Sequence, residues 1–140
     1  MHSNDGANFF LTIRRLLKEQ SQIHVVNDQF GVPTTTDFLV KVTLNLIEHH
    51  QKTGGDIPRL IHAVPEGQAS WFNFASHIRH TMKEQNAHQH LAEIKPIQSS
   101  NFPQAAKRPA NSVLANNLLE SLLGKPLGGW EDWQDHLQSR

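Results

Sequence analysis

The sequence predicts an α/β fold that is mostly helical and has only a few short strands. Apolar residues recur at helical spacing in several segments, and short runs of β-branched residues lie between those segments. The 140 residues are the usual size of one domain and contain no internal repeat. We therefore expect a single domain over residues 1–140.

The first predicted elements are a helix over residues 8–20 and a strand over residues 23–26. Asn8 or Asp5 has the short polar side chain that caps a first helical turn. The strand segment, IHVV, is rich in β-branched residues. The apolar stripe of the helix consists of Phe9, Ile13, Leu16 and Leu17.

The strongest helical pattern covers residues 35–51. Thr35 or Thr36 can cap this helix, and the glycines within residues 52–56 end it. Asp37 in the first turn complements the positive end of the helix dipole. The predicted buried stripe consists of Phe38, Leu39, Val42, Leu46 and Ile47.

The next segments predict a strand, a helix and a second strand. Residues 59–64, RLIHAV, are typical of a buried strand, and Ser70 is suited to cap a helix over residues 71–85. Residues 93–98 favour an edge strand, because Pro96 has no N–H for a central ladder. The helix stripe consists of Phe74, Ile78, Thr81 and Met82.

Two helices are predicted near the end of the chain. Residues 116–123 form the first, which Gly124 and Pro126 stop. The segment GGWEDWQDHL predicts the second, with Trp130, Trp133 and Leu137 facing inward.

The composition excludes several classes of function. Thirteen basic and thirteen acidic residues leave no net charge, so no global field attracts nucleic acid or an anionic membrane. There is no cysteine for disulfides, no tyrosine to act as an acid or base, and no apolar run of about 18 residues to span a bilayer. The first ten residues do not resemble a secretory signal, so we expect a cytoplasmic location.

Ten histidines raise the question of a metal site. Zinc needs three or four ligands in one place. The histidine pairs are far apart in the sequence, and the sequence contains no H-E-x-x-H motif. We therefore expect no metal site and solvent-exposed histidines. The closest pairs are His49 with His50, His77 with His80, and His88 with His90.

Two positions carry candidate binding chemistry. Phe9 lies at a helix start beside Asn8, where an anion or a ring can dock, whereas the other aromatic pairs are more typical of a core. Pro109 forces Arg108 into an extended conformation, in which a guanidinium can form a fork for phosphate or carboxylate. The alternative for Arg108 is an ordinary surface charge beside a turn.

A third candidate is the DQFGVPT bend, residues 28–34. Turn propensity and helix capping account for its surroundings. They do not explain the combination of Asp28, Gln29, Gly31, Pro33 and Thr34.

This bend and the segments around it resemble the dTDP-4-dehydrorhamnose reductase family of extended short-chain dehydrogenases/reductases. The matching segments, in family order, are GANFFLTIRRLLKE, IHVVNDQFGVPTTTDFLVKVTLNLIE, RLIHAVPEGQASWFNFASHI, IKPIQSSNFPQAAKRPANSVLANNLLESLLG and WEDWQDHL. Each is weak alone, but five in order are specific, and they cover about residues 6–137. The resemblance is to the small C-terminal substrate-binding domain of these enzymes, without their Rossmann domain.

The resemblance implies a parent activity in dTDP-rhamnose biosynthesis, hydride transfer from NAD(P)H to C4 of a dTDP-4-keto sugar. In the family, the Rossmann domain supplies the Gly-rich cofactor loop and the catalytic Tyr-x-x-x-Lys, and this sequence contains neither. We therefore expect no catalytic residue and no cofactor bound by this chain. Its expected ligand is a dTDP-sugar, and its expected partner is a Rossmann-domain half if the gene is split.

The resemblance also implies which residues face the nucleotide sugar. Asn8 and Phe9 match the segment beneath the sugar diphosphate, and Arg108 matches an arginine on that diphosphate. The bend matches one wall of the nucleotide pocket through Asp28, Gln29, Gly31 and Pro33.

Two further expectations concern partners. A non-catalytic regulatory or interaction module is the alternative function, because the β subunit of methionine adenosyltransferase resembles this family and has a similar Arg-Pro-x-Asn segment. In relatives the pocket lies between two domains, so an apolar face exposed on this domain alone favours self-association.

Overall fold

We describe residues 7–102 and 108–138 of a computed structural model of the protein, the last two of these by their backbone alone. This part of the chain is mixed α/β, mostly helical with short strands, which confirms the predicted class. The helices are α1 (Phe9–Glu19), α2 (Thr36–Thr53), α3 (Trp71–Gln85), α4 (Asn117–Leu123) and α5 (Trp130–Gln138). The strands are β1 (Gln22–Val26), β2 (Phe30–Gly31), β3 (Ala69–Ser70) and β4 (Glu93–Ile97).

The ends of the first three helices lie where the sequence predicts them. Asn8, Thr35 and Ser70 each accept a hydrogen bond from the amide three residues later, at 3.0, 3.1 and 3.0 Å. Gly54 ends α2 with a φ of 63°, in the left-handed region that favours glycine. Asp5, the alternative cap of α1, lies outside the described residues.

The strands form two small sheets. β1 and β4 pair in parallel, with Val25 opposite Pro96, so the predicted edge strand is confirmed. β2 and β3 pair antiparallel, with Phe30 opposite Ser70 and Gly31 opposite Ala69. The sequence did not predict this second sheet, because two-residue strands leave no periodic pattern.

Buried apolar residues form two clusters. The larger, which we call the pocket-side core, joins α1, β1, β3, α3, the two residues before β4 and the start of α5. It consists of Phe10, Ile13, Leu17, Ile23, Val25, Ala69, Phe74, Ala75, Ile78, Met82, Leu91, Ala92 and Trp130. The smaller, which we call the α2-side core, consists of Phe38, Val42, Leu119 and Leu127.

The predicted strand at residues 59–64 is wrong. Ile61 and Ala63 pack against the α2-side core, so their apolar character reflects burial. Within the described residues no neighbouring strand pairs with this segment, and a strand needs a ladder partner. The chain instead makes a single bridge further on, where the Glu66 amide donates to the carbonyl of Gly128 at 2.9 Å.

Two side-chain predictions for the helices are also wrong. Ile47 was expected in the buried stripe of α2 but is 48% exposed, because it lies about 140° around the helix from Val42. His77 was expected to be solvent-exposed, but its side chain is only 17% exposed and its Nε2 lies 2.8 Å from Oδ1 of Asp135 on α5. The side chain of Leu137 lies outside the described part of the structure. Among the described residues, no helix is long and apolar enough to cross a bilayer.

Candidate functional site

A cavity of about 250 Å³ opens between the DQFGVPT bend, the start of α1 and the start of α3. Four segments that are distant in sequence contribute to its wall, including the chain around Ser112. Tertiary packing therefore creates the cavity, which no single motif forms by itself.

Aromatic rings form one wall of the cavity. The ring of Phe9 lies 4.6 Å from that of Trp71 and 5.5 Å from that of Phe74, the second pair stacked. Trp130 supports Phe74 edge-on, with the ring centroids 5.8 Å apart. Because Phe74 and Trp130 belong to the pocket-side core, this wall is fixed before any ligand arrives.

The bend forms another part of the cavity wall. The β2–β3 ladder holds Gly31 against Ala69, and both residues line the cavity together with Val32 and Pro33. A Cβ atom at Gly31 would meet no protein atom within 4 Å, so packing does not require glycine there. The missing side chain leaves that space open to the cavity.

The segment that contains Arg108 reaches the cavity through the backbone. The amide of Phe30 donates to the carbonyl of Ala110, and the amide of Ser112 donates to the carbonyl of Phe30, both at 2.8 Å. These bonds place Ser112 in the cavity wall. Arg108 lies four residues earlier, and its side chain is exposed.

Asp28 ties the bend to the chain that follows β4. Its carboxylate accepts hydrogen bonds from the amide and the hydroxyl of Ser99, both at 2.8 Å. Desolvation is the largest single influence and raises the pKa of Asp28. Hydrogen bonds from the Ser99 hydroxyl, the Ser99 amide and the Asp28 amide outweigh it together, so this pKa lies below its ordinary value of 3.8.

Ser70 ties the other side of the bend to α3. Its side chain is 1% exposed, caps α3 and donates to Oδ1 of Asn27 at 2.7 Å. Asn27 directly follows β1 and precedes the bend. One hydroxyl therefore positions both the strand end and the helix start that flank the cavity.

The structure brings together some of the predicted site residues and not others. Phe9, Gly31 and Pro33 line the cavity. Asn8 is engaged as the α1 cap, Asp28 bonds Ser99, Gln29 is buried, and Arg108 is exposed. A substrate-binding role for these seven residues stays a prediction.

Sequence reasoning missed most of the remaining wall. The missed residues are Val32, Ala69, Ser70, Trp71, Phe74 and Ser112. Ser70 was identified only as a cap, and Trp71 and Phe74 only as parts of a helix. Thr34 was singled out within the bend but not assigned to the site. The described residues contain no group of three or more metal-ligating side chains.

Comparison with known proteins gives one consistent result. The RmlD substrate binding domain family matches residues 1–139. The chain is 35% identical over 130 residues to dTDP-4-dehydrorhamnose reductase from Burkholderia thailandensis, a match that covers 89% of this chain and 44% of that protein.

Solved structures agree. The dTDP-4-dehydrorhamnose reductase of Bacillus anthracis, in complex with NADP, has a TM-score of 0.80 at 28% identity and is matched by 99% of this chain. An ortholog from Clostridium acetobutylicum has a TM-score of 0.79 at 29% identity and is matched by 96% of this chain. In both cases the match spans only 44% of the solved chain, less than half its length. The resemblance expected from the five motifs is confirmed, and the chain belongs to the RmlD substrate binding domain family.

Proposed function

We propose that this chain is a single domain, residues 1–140, that binds the dTDP-sugar substrate of an NAD(P)H-dependent dTDP-4-dehydrorhamnose reductase in dTDP-rhamnose biosynthesis. The observation that carries the proposal is the aromatic-walled cavity at the DQFGVPT bend, in a chain of the RmlD substrate binding domain family. Its role is to bind and orient the keto sugar.

The cavity chemistry suits one ring of such a ligand. Phe9 and Trp71 offer apolar surface to the face of a base or a sugar, and Ser112 adds a hydroxyl-bearing residue to the lining. A volume of about 250 Å³ is below that of typical pockets for larger ligands, so only part of a nucleotide sugar fits inside. The rest of the nucleotide sugar would extend along the segment before Ser112, where the Arg108 guanidinium can bind a diphosphate through two parallel hydrogen bonds.

Cofactor binding is not part of this proposal. The sequence has no G-x-G-x-x-G loop to cradle a dinucleotide, so its residues do not fit NAD(P)H. It also has no tyrosine. Hydride transfer by the family's mechanism therefore needs groups from outside these 140 residues.

Calorimetric titration with dTDP and with thymidine tests the proposal. We expect dTDP to bind, and we expect Arg108→Ala to weaken dTDP binding by about 10- to 100-fold, because a charge-assisted pair to phosphate is lost. Thymidine has no phosphate, so its affinity should not change. Arg59→Ala is the matched control, since Arg59 is an exposed arginine in the segment after α2.

The outcomes separate the two candidate functions. A folded chain that binds neither dTDP nor thymidine contradicts substrate binding and favours the non-catalytic interaction module. Equal loss of dTDP and thymidine affinity in Arg108→Ala contradicts the diphosphate role.

A second experiment mixes the chain with the cofactor-binding half of a relative, which should restore reduction of the keto sugar. Absence of activity with both halves folded argues against a split enzyme.

A further inference from the structure

Gly31 is a glycine that the fold does not require. Its φ lies outside the left-handed region, so the backbone at this position accepts residues other than glycine. A Cβ atom at Gly31 would meet no protein atom within 4 Å, so packing accepts a side chain as well. Glycine inside a strand also lowers stability, because it loses more conformational freedom on folding than other residues do. Neither the backbone nor the packing of β2 therefore accounts for the glycine.

A side chain at position 31 would point toward the cavity. Gly31 lies opposite Ala69 in the antiparallel β2–β3 ladder. Residues directly opposite each other in such a ladder project their side chains from the same face. Ala69 is 6% exposed, belongs to the pocket-side core and lines the cavity, so the cavity lies on the face that it shares with Gly31. The glycine thus enlarges the cavity by the volume of one side chain.

The inner part of the cavity is poorly suited to a charged or hydroxyl-rich group. No charged side chain lines the cavity among the residues that the structure describes. The buried hydroxyls of the lining already donate their protons within the protein. Thr34 donates to the carbonyl of Val32 at 3.0 Å, and Ser70 donates to Oδ1 of Asn27 at 2.7 Å. A diphosphate or a sugar that entered there would lose hydrogen bonds to water that these side chains do not replace.

We propose that Gly31 is a specificity-determining residue of the cavity, which leaves room for the thymine ring of the dTDP-sugar. This inference rests on the proposed function. The faces of thymine are planar and apolar, so the ring can stack on Phe9 or Trp71 and lie against the Gly31 backbone, where no side chain holds it away. Its polar edge can turn toward Ser112, which lines the cavity and is exposed to solvent. The diphosphate then lies outside the cavity.

A substitution at Gly31 should therefore weaken ligand binding without weakening the fold. A methyl group would occupy space that the ring needs, and the branched side chain of valine would occupy more of it. Because the cavity measures only about 250 Å³, the ring has little room to move aside. Since dTDP and thymidine share the thymine ring, both should lose affinity by the same factor.

Calorimetric titration of Gly31→Ala and Gly31→Val with dTDP and with thymidine tests the proposal. For both ligands we expect about tenfold weaker binding to Gly31→Ala and at least about 100-fold weaker binding to Gly31→Val. Thermal unfolding without ligand should give melting temperatures at or above that of the wild type, because alanine and valine both suit a strand better than glycine does.

Gly54→Ala is the matched control. A Cβ atom at Gly54 also meets no protein atom within 4 Å, but Gly54 has a φ of 63° and lies at the end of α2, outside the cavity lining. This variant should show the opposite pattern, a lower melting temperature with unchanged affinity for dTDP and thymidine. The pair of variants thus separates a glycine that the ligand requires from one that the fold requires.

Three results would overturn the inference and leave the proposed function standing. The first is wild-type affinity for both ligands in Gly31→Val. The second is a loss of dTDP affinity with thymidine affinity unchanged, which would place the diphosphate at Gly31. The third is a melting temperature that falls as much in Gly31→Ala as in Gly54→Ala, which would show that the fold requires the glycine. A wild-type chain that binds neither ligand would contradict the proposed function and this inference with it.

Discussion

The pocket-side core and the α2-side core differ in how they are built. Among the described residues, thirteen buried apolar residues from positions 10 to 130 form the first, and four form the second. The first holds two rigid elements, α1 and α3, whose aromatic residues line the cavity. The second packs α2 against α4 and α5 and leaves the opposite side of α2 in solvent.

This difference in packing implies that the pocket side and the α2 side have different structural roles. A binding wall must keep its geometry, and a large core contributed by many segments gives it that rigidity. The α2 side relies more on local devices, namely the Thr35 cap and the Gly54 end. Core mutations should therefore lower the free energy of unfolding more on the pocket side than on the α2 side. Only on the pocket side should they also reduce nucleotide binding.

The largest expected effect comes from truncating a buried phenylalanine in each core. Phe10 and Phe38 are both 0% exposed. Phe10→Ala should lower the free energy of unfolding by about 4 to 5 kcal/mol, because the densely packed side chains around it cannot move in to fill the space that the ring leaves. Phe38→Ala should cost about 3 kcal/mol, because its smaller core can relax. Urea unfolding measures both.

Nucleotide titration of the same two variants sharpens the comparison. Phe10 neighbours Phe9 in α1, so its loss should also weaken dTDP binding, whereas Phe38→Ala should leave dTDP binding near the wild-type value. A Phe38→Ala variant that costs as much stability as Phe10→Ala would contradict the different packing of the two cores.

The helices could be predicted because their signals are local. Asn8, Thr35 and Ser70 each cap a helix through an amide only three residues away, so the capping residue and the helix start are read together. The segment at 59–64 shows the limit of such reasoning. Ile61, Ala63 and Val64 are at least partly buried, whereas Leu60 is 75% exposed, and whether a strand forms depends on a partner elsewhere in the chain.

The candidate site was only partly predictable for the same reason. Phe9, Gly31 and Pro33 were found through their motifs, and all three line the cavity. Ser112 joins them because its amide donates a hydrogen bond to the carbonyl of Phe30, which lies more than 80 positions earlier. No periodicity or spacing encodes such a contact, and it appears only when the chain is folded.

A smaller effect should come from removing one helix cap on each side. Ser70→Ala should cost about 2 kcal/mol, because it removes the α3 cap and also leaves Asn27 without its 2.7 Å partner. Thr35→Ala should cost about 1 kcal/mol, because only the α2 cap is lost. Thermal unfolding monitored by circular dichroism compares them, and equal losses would show that the Asn27 bond contributes nothing.

The smallest expected effect concerns Asp28 and depends on pH. Because the folded state lowers the pKa of this carboxyl below 3.8, the ionised form is stabilised by folding. The contribution of Asp28 to stability is therefore complete above pH 3.8 and disappears as the pH falls through the lower pKa of the folded state.

Asp28→Asn should remove this contribution while keeping a side chain of the same shape. The difference in unfolding free energy between the wild type and Asp28→Asn should be constant near neutral pH and shrink below pH 3.8, as urea titrations at a series of pH values would show. Asp56→Asn is the control, since Asp56 is an exposed carboxylate in the segment after α2.

Ser99→Ala should lower the free energy of unfolding less than Asp28→Asn at neutral pH, because the Ser99 amide still donates to the carboxylate. A difference between wild type and Asp28→Asn that grows in acid would mean that the tie between the bend and Ser99 does not favour the carboxylate.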